Sequence, residues 1–237
     1  MHVQDIPSSK WDILLLLDAC RYDVFRHVNR IPGRLDKRWS KGSVTEIWWR
    51  MNFYYPQKDI VYLSGHPSLR SDNQWAKIFP VILDVWDYGW NEELTTTDPA
   101  VMAEETIKAV EKYPGMRILA HFLQPHAPYI GNPSIKGIQM HPRRARVPFD
   151  WNIGKGFFEG QITVEELKKA YISNLLVALK YCQKIVEACP DKDIVITSDH
   201  GELFGEYGLF FHSPVDRLWP FPEVRVVPWF RARRSRA

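Results

Sequence analysis

The sequence predicts an α/β fold with a mostly parallel central sheet and helices on both faces. Two observations predict it. Short, continuous apolar runs of the kind that form strands covered on both faces alternate with segments of helical period. Their order along the chain is strand, helix, strand, helix, strand, which is the order of a sheet wound with crossover helices.

Trp11 to Leu17 is the first such run, and Asp18 stands at its end. Ile60 to Leu63 predicts a second strand, closed by Ser64 and Gly65, and Val81 to Val85 a third. Pro99 to Lys112 predicts a helix with Val101, Thr106, Ile107 and Val110 near one face, Asp98 as its N-cap and Pro99 at its first position. Arg117 to Leu123 predicts another strand, followed by Gln124, Pro125 and His126. Residues 127–160 are rich in Pro, Gly and Arg and show no period, so they read as an insertion crossing one face of the sheet. Thr163 and Glu166 form a capping box opening a long helix through Leu167, Ala170, Tyr171, Leu175, Ala178, Leu179, Cys182 and Val186, stopped by Pro190. Asp193 to Thr197 predicts a last buried strand, ending at Ser198, Asp199 and His200.

Bulk properties narrow the function. With 237 residues, 45% hydrophobic and 25% charged, the chain reads as one globular domain, residues 1–237, with a short basic C-terminal tail. Ten Trp supply material for a large core, or for rings lining a cleft. A net charge of +3 gives no reason to expect nucleic acid. Arg143, Arg144 and Arg146 form one basic cluster, and Arg231, Arg233, Arg234 and Arg236 another. Cys20, Cys182 and Cys189 have no CxxC spacing, which argues against a disulfide framework. No signal-like segment opens the sequence and no apolar run spans a bilayer, so the expected location is cytoplasmic.

Ligands of open α/β sheets bind at the carboxyl ends of strands. Here those ends carry Asp18, His126 and the pair Asp199 and His200, with Gly201, Glu202 and later His212 downstream. Carboxylate oxygen mixed with imidazole nitrogen suits zinc or manganese.

Three segments resemble a known family. Thr197 to Gly208, running on to His212, looks like the C-terminal metal motif of sulfatase-like proteins of the alkaline phosphatase/sulfatase superfamily. It is most similar to that of phosphoethanolamine transferases and lipoteichoic acid synthases. His121 to Tyr129 resembles their middle histidine motif, and Leu17 to Asp23 their first-strand motif. The resemblance implies an alkaline phosphatase-like fold. It implies Asp18, Thr45, Asp199 and His200 as ligands of one divalent metal ion, zinc or manganese, with calcium or magnesium left open. His126 and His212 would contact the phosphoryl group or hold a second, weaker metal, and Arg21 would bind substrate; apart from the resemblance, the basic cluster beginning at Arg143 offers a place for a second anionic group of the substrate. The family's nucleophile lies at a helix start after the first helix, here between Ser40 and Trp48. Thr45 is the first choice and Ser43 the second. Ser43 also reads as a helix cap, with Glu46 completing its box.

The sequence departs from the family in several places. No cysteine sits in the Cys/Ser-x-Pro-x-Arg motif of true sulfatases, which disfavours sulfate esters. The Asp-x-x-x-His motif of two-metal members is missing, since Arg117 stands four before His121. A reduced C-terminal subdomain is expected, with Val224 to Phe230 as its strand. The activity implied is a metal-dependent hydrolase of phosphate mono- or diesters working through a phospho-threonine. Alternatives are a transferase moving a phospho-headgroup onto a glycan or lipid, a sulfuric ester hydrolase, and a non-catalytic binder of phosphorylated ligands. A phosphoglycerate mutase-like isomerase ranks below these.

Overall fold

The computed structural model describes residues 1–67, 69–132, 135, 159–212 and 221–233. The elements follow in chain order: β1 (His2–Val3), β2 (Ile13–Asp18), α1 (Tyr22–Val28), β3 (Gly33–Trp39), α2 (Thr45–Asn52), β4 (Ile60–Ser64) and β5 (Val81–Leu83). Then come α3 (Val85–Tyr88), β6 (Trp90–Asn91), β7 (Thr96–Thr97), α4 (Pro99–Lys112), β8 (Arg117–Pro125) and α5 (Val164–Ala188). Last are β9 (Ile194–Ser198), β10 (Leu203–Phe204), β11 (Phe210–Phe211), α6 (Pro222–Arg225) and β12 (Val226–Ala232).

Eight strands pair into one sheet in the order β1-β3-β12-β9-β2-β8-β4-β5, and β6-β7 and β10-β11 form two small hairpins. The run from β9 to β5 is parallel throughout. β12 enters antiparallel to both β9 and β3. The fold expected from the sequence, a mostly parallel sheet with helices on both faces, is the fold observed.

β2 runs through the middle of this sheet and is buried along its whole length. Its continuous apolar string conceals a period of two. Ile13, Leu15 and Leu17 face a core built with Phe25 of α1, Met102 of α4 and Leu175, Ala178 and Cys182 of α5. Leu14 and Leu16 face an aromatic layer of Trp11, Trp48, Trp49, Phe53, Tyr62, Phe79 and Trp229. Many of the aromatic residues among those described are therefore core. Trp48 and Trp49 are buried within it, while Tyr54 and Tyr55 beyond the end of α2 are exposed. Burying side chains of this size stabilises the fold by roughly 1.5–3 kcal/mol each.

Two of the capping predictions hold. Asp98 accepts a hydrogen bond from the Ala100 amide, and Thr163 and Glu166 make both bonds of a capping box. Several expectations need correction. On α4 the buried stripe is Met102, Ala103, Thr106 and Ala109, with Val101, Ile107 and Val110 at its margin, because the smaller residues allow close approach to the sheet. Val85 opens a short helix instead of ending β5. The strand expected over Val224 to Phe230 begins at Val226 and joins the main sheet, so it is no subdomain strand. Arg231 belongs to β12, and its Nη2 donates to the Lys10 carbonyl at 2.9 Å. Arg233 is the last described residue, so Arg234 and Arg236 lie outside the described residues, as does most of the 127–160 insertion. β3 went unread because it is largely exposed and charged; its backbone pairing, not apolar patterning, makes it a strand.

Gly42 sets how closely the approach to α2 packs. A Cβ there would lie 2.2 Å from the Trp48 amide nitrogen, backbone that cannot give way. Gly42→Ala is expected to cost roughly 1–3 kcal/mol, the usual range for overpacking, and to displace the start of α2. A thermal melt, compared with Ala at the exposed Lys58, checks this.

Candidate metal and active site

The sheet order places β2 beside β9, so the residues ending these two strands meet. Asp18 is the last residue of β2; Asp199 and His200 follow β9 directly. Thr45 is the first residue of α2, which packs its Trp48 against the same edge of the sheet. Asp18, Asp199 and His200 bring three ligand atoms within 4.8 Å of one another. His200 Nε2 lies 3.6 Å from Asp18 Oδ1 and 3.3 Å from Asp199 Oδ2. Thr45 Oγ1 donates to Asp199 Oδ2 at 2.8 Å and lies 3.4 Å from His200 Nε2.

The electrostatics of this cluster are unbalanced. Both Asp18 oxygens are buried and lack a hydrogen-bond partner. Burial first, then the neighbouring charges of Asp199 and Glu202, raise the Asp18 carboxyl well above its ordinary pKa. Buried carboxylates placed side by side are costly unless a cation sits between them. The residues fit a metal on that ground: two orphaned oxygens, a second carboxylate, an imidazole and a hydroxyl converge, a donor set suited to zinc or manganese.

The imidazoles are oriented from behind. His200 Nδ1 donates to the Gly201 carbonyl at 2.9 Å, which leaves its Nε2 lone pair facing the carboxylates. His126 Nδ1 likewise donates to the Ala127 carbonyl at 2.8 Å, and His212 Nδ1 to Glu202 Oε1 at 3.0 Å. The ring centroids of His212 lie 4.3 Å from His200 and 5.2 Å from His126. Burial alone would lower the His212 pKa, but the Glu202 carboxylate more than offsets it, so it is raised. Burial first, and then the neighbouring His212, lowers both His126 and His200.

Buried polar side chains on other elements hold these loops. Asn174 of α5 donates from Nδ2 to the carbonyls of Pro125 and His126 at 3.0 and 2.9 Å and accepts from the Ile130 amide, fixing the segment that carries His126. The Tyr171 hydroxyl donates to the Ala19 carbonyl and accepts from the Arg21 amide, fixing the turn after Asp18. Gln4 donates to Thr197 Oγ1 and the Ser198 carbonyl and accepts from Trp48 Nε1, tying β9 to α2. Ser40 Oγ donates to the Asp199 carbonyl.

No family model matches the sequence, and no curated protein matches it. Solved structures do. The chain superposes on the soluble domain of lipooligosaccharide phosphoethanolamine transferase A from Neisseria meningitidis with a TM-score of 0.61 and 15% identity, over 96% of this chain and 79% of the other. Against the phosphonate monoester hydrolase of Agrobacterium radiobacter the values are 0.56 and 13%, over 94% and 68%. Against the C-terminal periplasmic domain of EcEptC from Escherichia coli, solved in complex with Zn, they are 0.50 and 10%, over 98% and 75%. The fold is alkaline phosphatase-like, as expected from the sequence. At these identities the likeness is one of fold, and the site stands on its own geometry.

Within that sulfatase-like fold, the structure brings Asp18, Thr45, Asp199, His200, His126 and His212 to one end of the sheet. Arg143 lies outside the described residues. Two expectations change. Val44, not Ser43, occupies the N-cap of α2, and Ser43 Oγ is buried without a hydrogen-bond partner, so the capping box with Glu46 does not form. Arg21, expected to meet substrate, is only 6% exposed, and four of its donors are engaged within the protein. Nε and Nη2 clamp Asp23, while Nη1 reaches Glu206 Oε1 at 2.8 Å and the Glu202 carbonyl at 3.1 Å. It pins the loop after β9 to the turn after β2. Sequence reading also passed over His66 and His121, whose Nε2 atoms lie 3.4 and 3.9 Å from Asp18 Oδ2. His66 follows a strand end, the same signal that revealed Asp18; His121 is hidden inside a buried strand.

Burial would raise the carboxyls of Asp23 and Glu206, but Arg21 more than offsets it, so both titrate below their ordinary 3.8 and 4.5. Their stabilisation is complete above those unfolded values and is lost as the pH falls through the lower folded ones. Arg21→Ala is expected to cost roughly 2–3 kcal/mol at neutral pH, as for charged hydrogen bonds, with the gap to wild type closing on acidification below the two ordinary values. Urea unfolding across that range checks both parts.

Proposed function

We propose that this chain is a divalent-metal-dependent enzyme acting on phosphate-type esters, with Thr45 as the nucleophile. The observation that carries the reading is Thr45 Oγ1, held at a helix start 2.8 Å from Asp199 Oδ2 beside the unpartnered Asp18. Asp18, Asp199, His200 and Thr45 would hold the ion, zinc or manganese in preference to calcium or magnesium because an imidazole is among the ligands. Bound there, such an ion lowers the pKa of a hydroxyl and offsets charge on a phosphoryl oxygen. That the similarly folded EcEptC domain binds Zn supports the choice of ion.

The chain's own groups supply the rest. The Thr45 hydroxyl is oriented by its donation to Asp199, and its oxygen forms a bond to phosphorus as the bond to the leaving oxygen breaks. Amide groups at the start of α2 lie close to that point and favour an anion. His212, its pKa raised by Glu202, is suited to give a proton to the leaving oxygen, while His126 steadies the transferred group. The resulting phospho-Thr45 is then opened by water or by an acceptor hydroxyl. Water makes the enzyme a hydrolase; an acceptor on a glycan or lipid makes it a headgroup transferase. The fold shared with a phosphoethanolamine transferase favours keeping the second outcome in view.

The reading is tested by a screen of p-nitrophenyl phosphate, bis-phosphate and sulfate esters with added zinc or manganese. Thr45→Ala is expected to lower turnover by roughly three orders of magnitude or more, and Ser43→Ala to retain most of it. Mass spectrometry of the acid-quenched reaction should find phosphate on the Thr45 peptide; phosphate on Ser43 would move the nucleophile there. A rate raised by added sugar or lipid hydroxyls would mark a transferase. With His212 active when protonated, kcat/KM falls as the pH rises through its raised pKa. Glu202→Gln removes the group that raises it, so this alkaline limb is expected to move to lower pH.

A further inference from the structure

We propose that Gln4 is a positioning residue for this site: by bridging the strand that delivers Asp199 to the helix that delivers Thr45, it sets the spacing of the two. This role rests on Thr45 and Asp199 acting as proposed above. Thr45 Oγ1 and Asp199 Oδ2 are 2.8 Å apart, yet 154 positions separate the residues in sequence. Their approach therefore depends on where α2 sits against β9. Gln4 follows β1, and its backbone amide donates to the Trp39 carbonyl at 2.8 Å, which fixes it beside the end of β3. From there its side chain is wholly buried.

The hydrogen bonds of that side chain fit an amide and no other group. Nε2 donates to Thr197 Oγ1 at 2.9 Å and to the Ser198 carbonyl at 2.8 Å, which uses both of its N–H groups. Oε1 accepts from the indole nitrogen of Trp48. A carbonyl can only accept and an indole N–H can only donate, so the amide cannot be turned over without losing both partners. The Thr197 hydroxyl already donates to the Pro228 carbonyl at 2.6 Å, which leaves it to accept from Gln4. A carboxylate at this position would set an oxygen against the Ser198 carbonyl, and an apolar side chain would leave the buried indole N–H without its acceptor.

The two ends of this bridge stand next to the reacting pair. Ser198 immediately precedes Asp199, and Trp48 lies three positions after Thr45, about one turn along α2. Gln4, Ser198, Asp199, Thr45 and Trp48 thus close a ring of contacts around the proposed nucleophile. The Trp48 ring is fully buried and meets Phe53 edge to face, with centroids 5.7 Å apart, so it cannot swing to follow a displaced partner. The same segment also grips the next turn of the helix: the Ile6 amide donates to Asn52 Oδ1 at 3.3 Å, and Asn52 Nδ2 donates to the Trp48 carbonyl at 3.0 Å. A helix start released from such a bridge can drift, and misplacing a reacting group by about 1 Å costs on the order of a hundredfold in rate.

Gln4→Met keeps a similar volume and removes all three side-chain bonds, and two measurements read its effect. Hydrogen exchange followed by mass spectrometry needs neither substrate nor metal. Amides of α2 are expected to exchange about tenfold faster or more, beyond any change in α5. On an ester that wild type turns over, with zinc saturating, kcat is expected to fall on the order of a hundredfold with KM little changed. Ile185→Val, which thins the buried core near the far end of α5, is the control for general destabilisation and should alter neither α2 exchange nor kcat. Trp48→Phe removes one end of the bridge and should move both readouts the same way; combined with Gln4→Met it should add little, since the two act as a unit. If Gln4→Met does not fold, Trp48→Phe carries both readouts. Exchange rising equally in α2 and α5, or kcat unchanged in the folded variants, overturns the positioning role. Wild type inactive on every ester sinks the proposed function instead, and the exchange measurement still decides whether Gln4 holds α2.

Discussion

The structure depends on how it accommodates two carboxylates buried side by side. Asp18 and Asp199 end neighbouring strands at the centre of the sheet, where water is excluded and like charges cannot be screened. Asp199 is partly satisfied: its Oδ1 accepts from the amides of Ala19 and His200, and its Oδ2 from Thr45. Neither oxygen of the Asp18 carboxylate accepts a hydrogen bond. A cation bound there, as proposed, would offset the charge of the pair.

Around that pair the surrounding chain acts as a rigid mould. Backbone carbonyls set the tautomers of His126 and His200, and a carboxylate sets that of His212, so three imidazoles stand oriented before anything binds. The groups that fix the loops come from distant stretches: Gln4 from the first strand's edge, Asn174 and Tyr171 from α5, and Arg21 from the turn after β2. Preorganisation of this kind reduces what binding must spend on ordering side chains.

Asp18 stands where groups from both sides of β2 meet. Thr45 and His66 come from different elements, yet each lies within reach of Asp18 or of its immediate neighbours.

The sequence alone determined the layout. Apolar runs buried on both faces must become central strands, because only a covered sheet hides them, and three of those runs pointed to candidate site residues at their ends: Asp18, His126, and Asp199 with His200. Capping chemistry at Asp98 and at Thr163 with Glu166 is local, so it too was legible. What only the tertiary structure decided was which side chains meet. Arg21 reads as a cation available to substrate until the fold brings Glu206 to it across 185 positions. Ser43 reads as a cap until the packing of Gly42 against Trp48 shifts the helix start by one residue. His121 reads only as the opening residue of the histidine motif, with no role of its own, until pairing in register with Leu16 and Ser64 sets it near Asp18. Periodicity reports burial along one element; it carries no information about the order in which strands lie side by side, and that order makes the site.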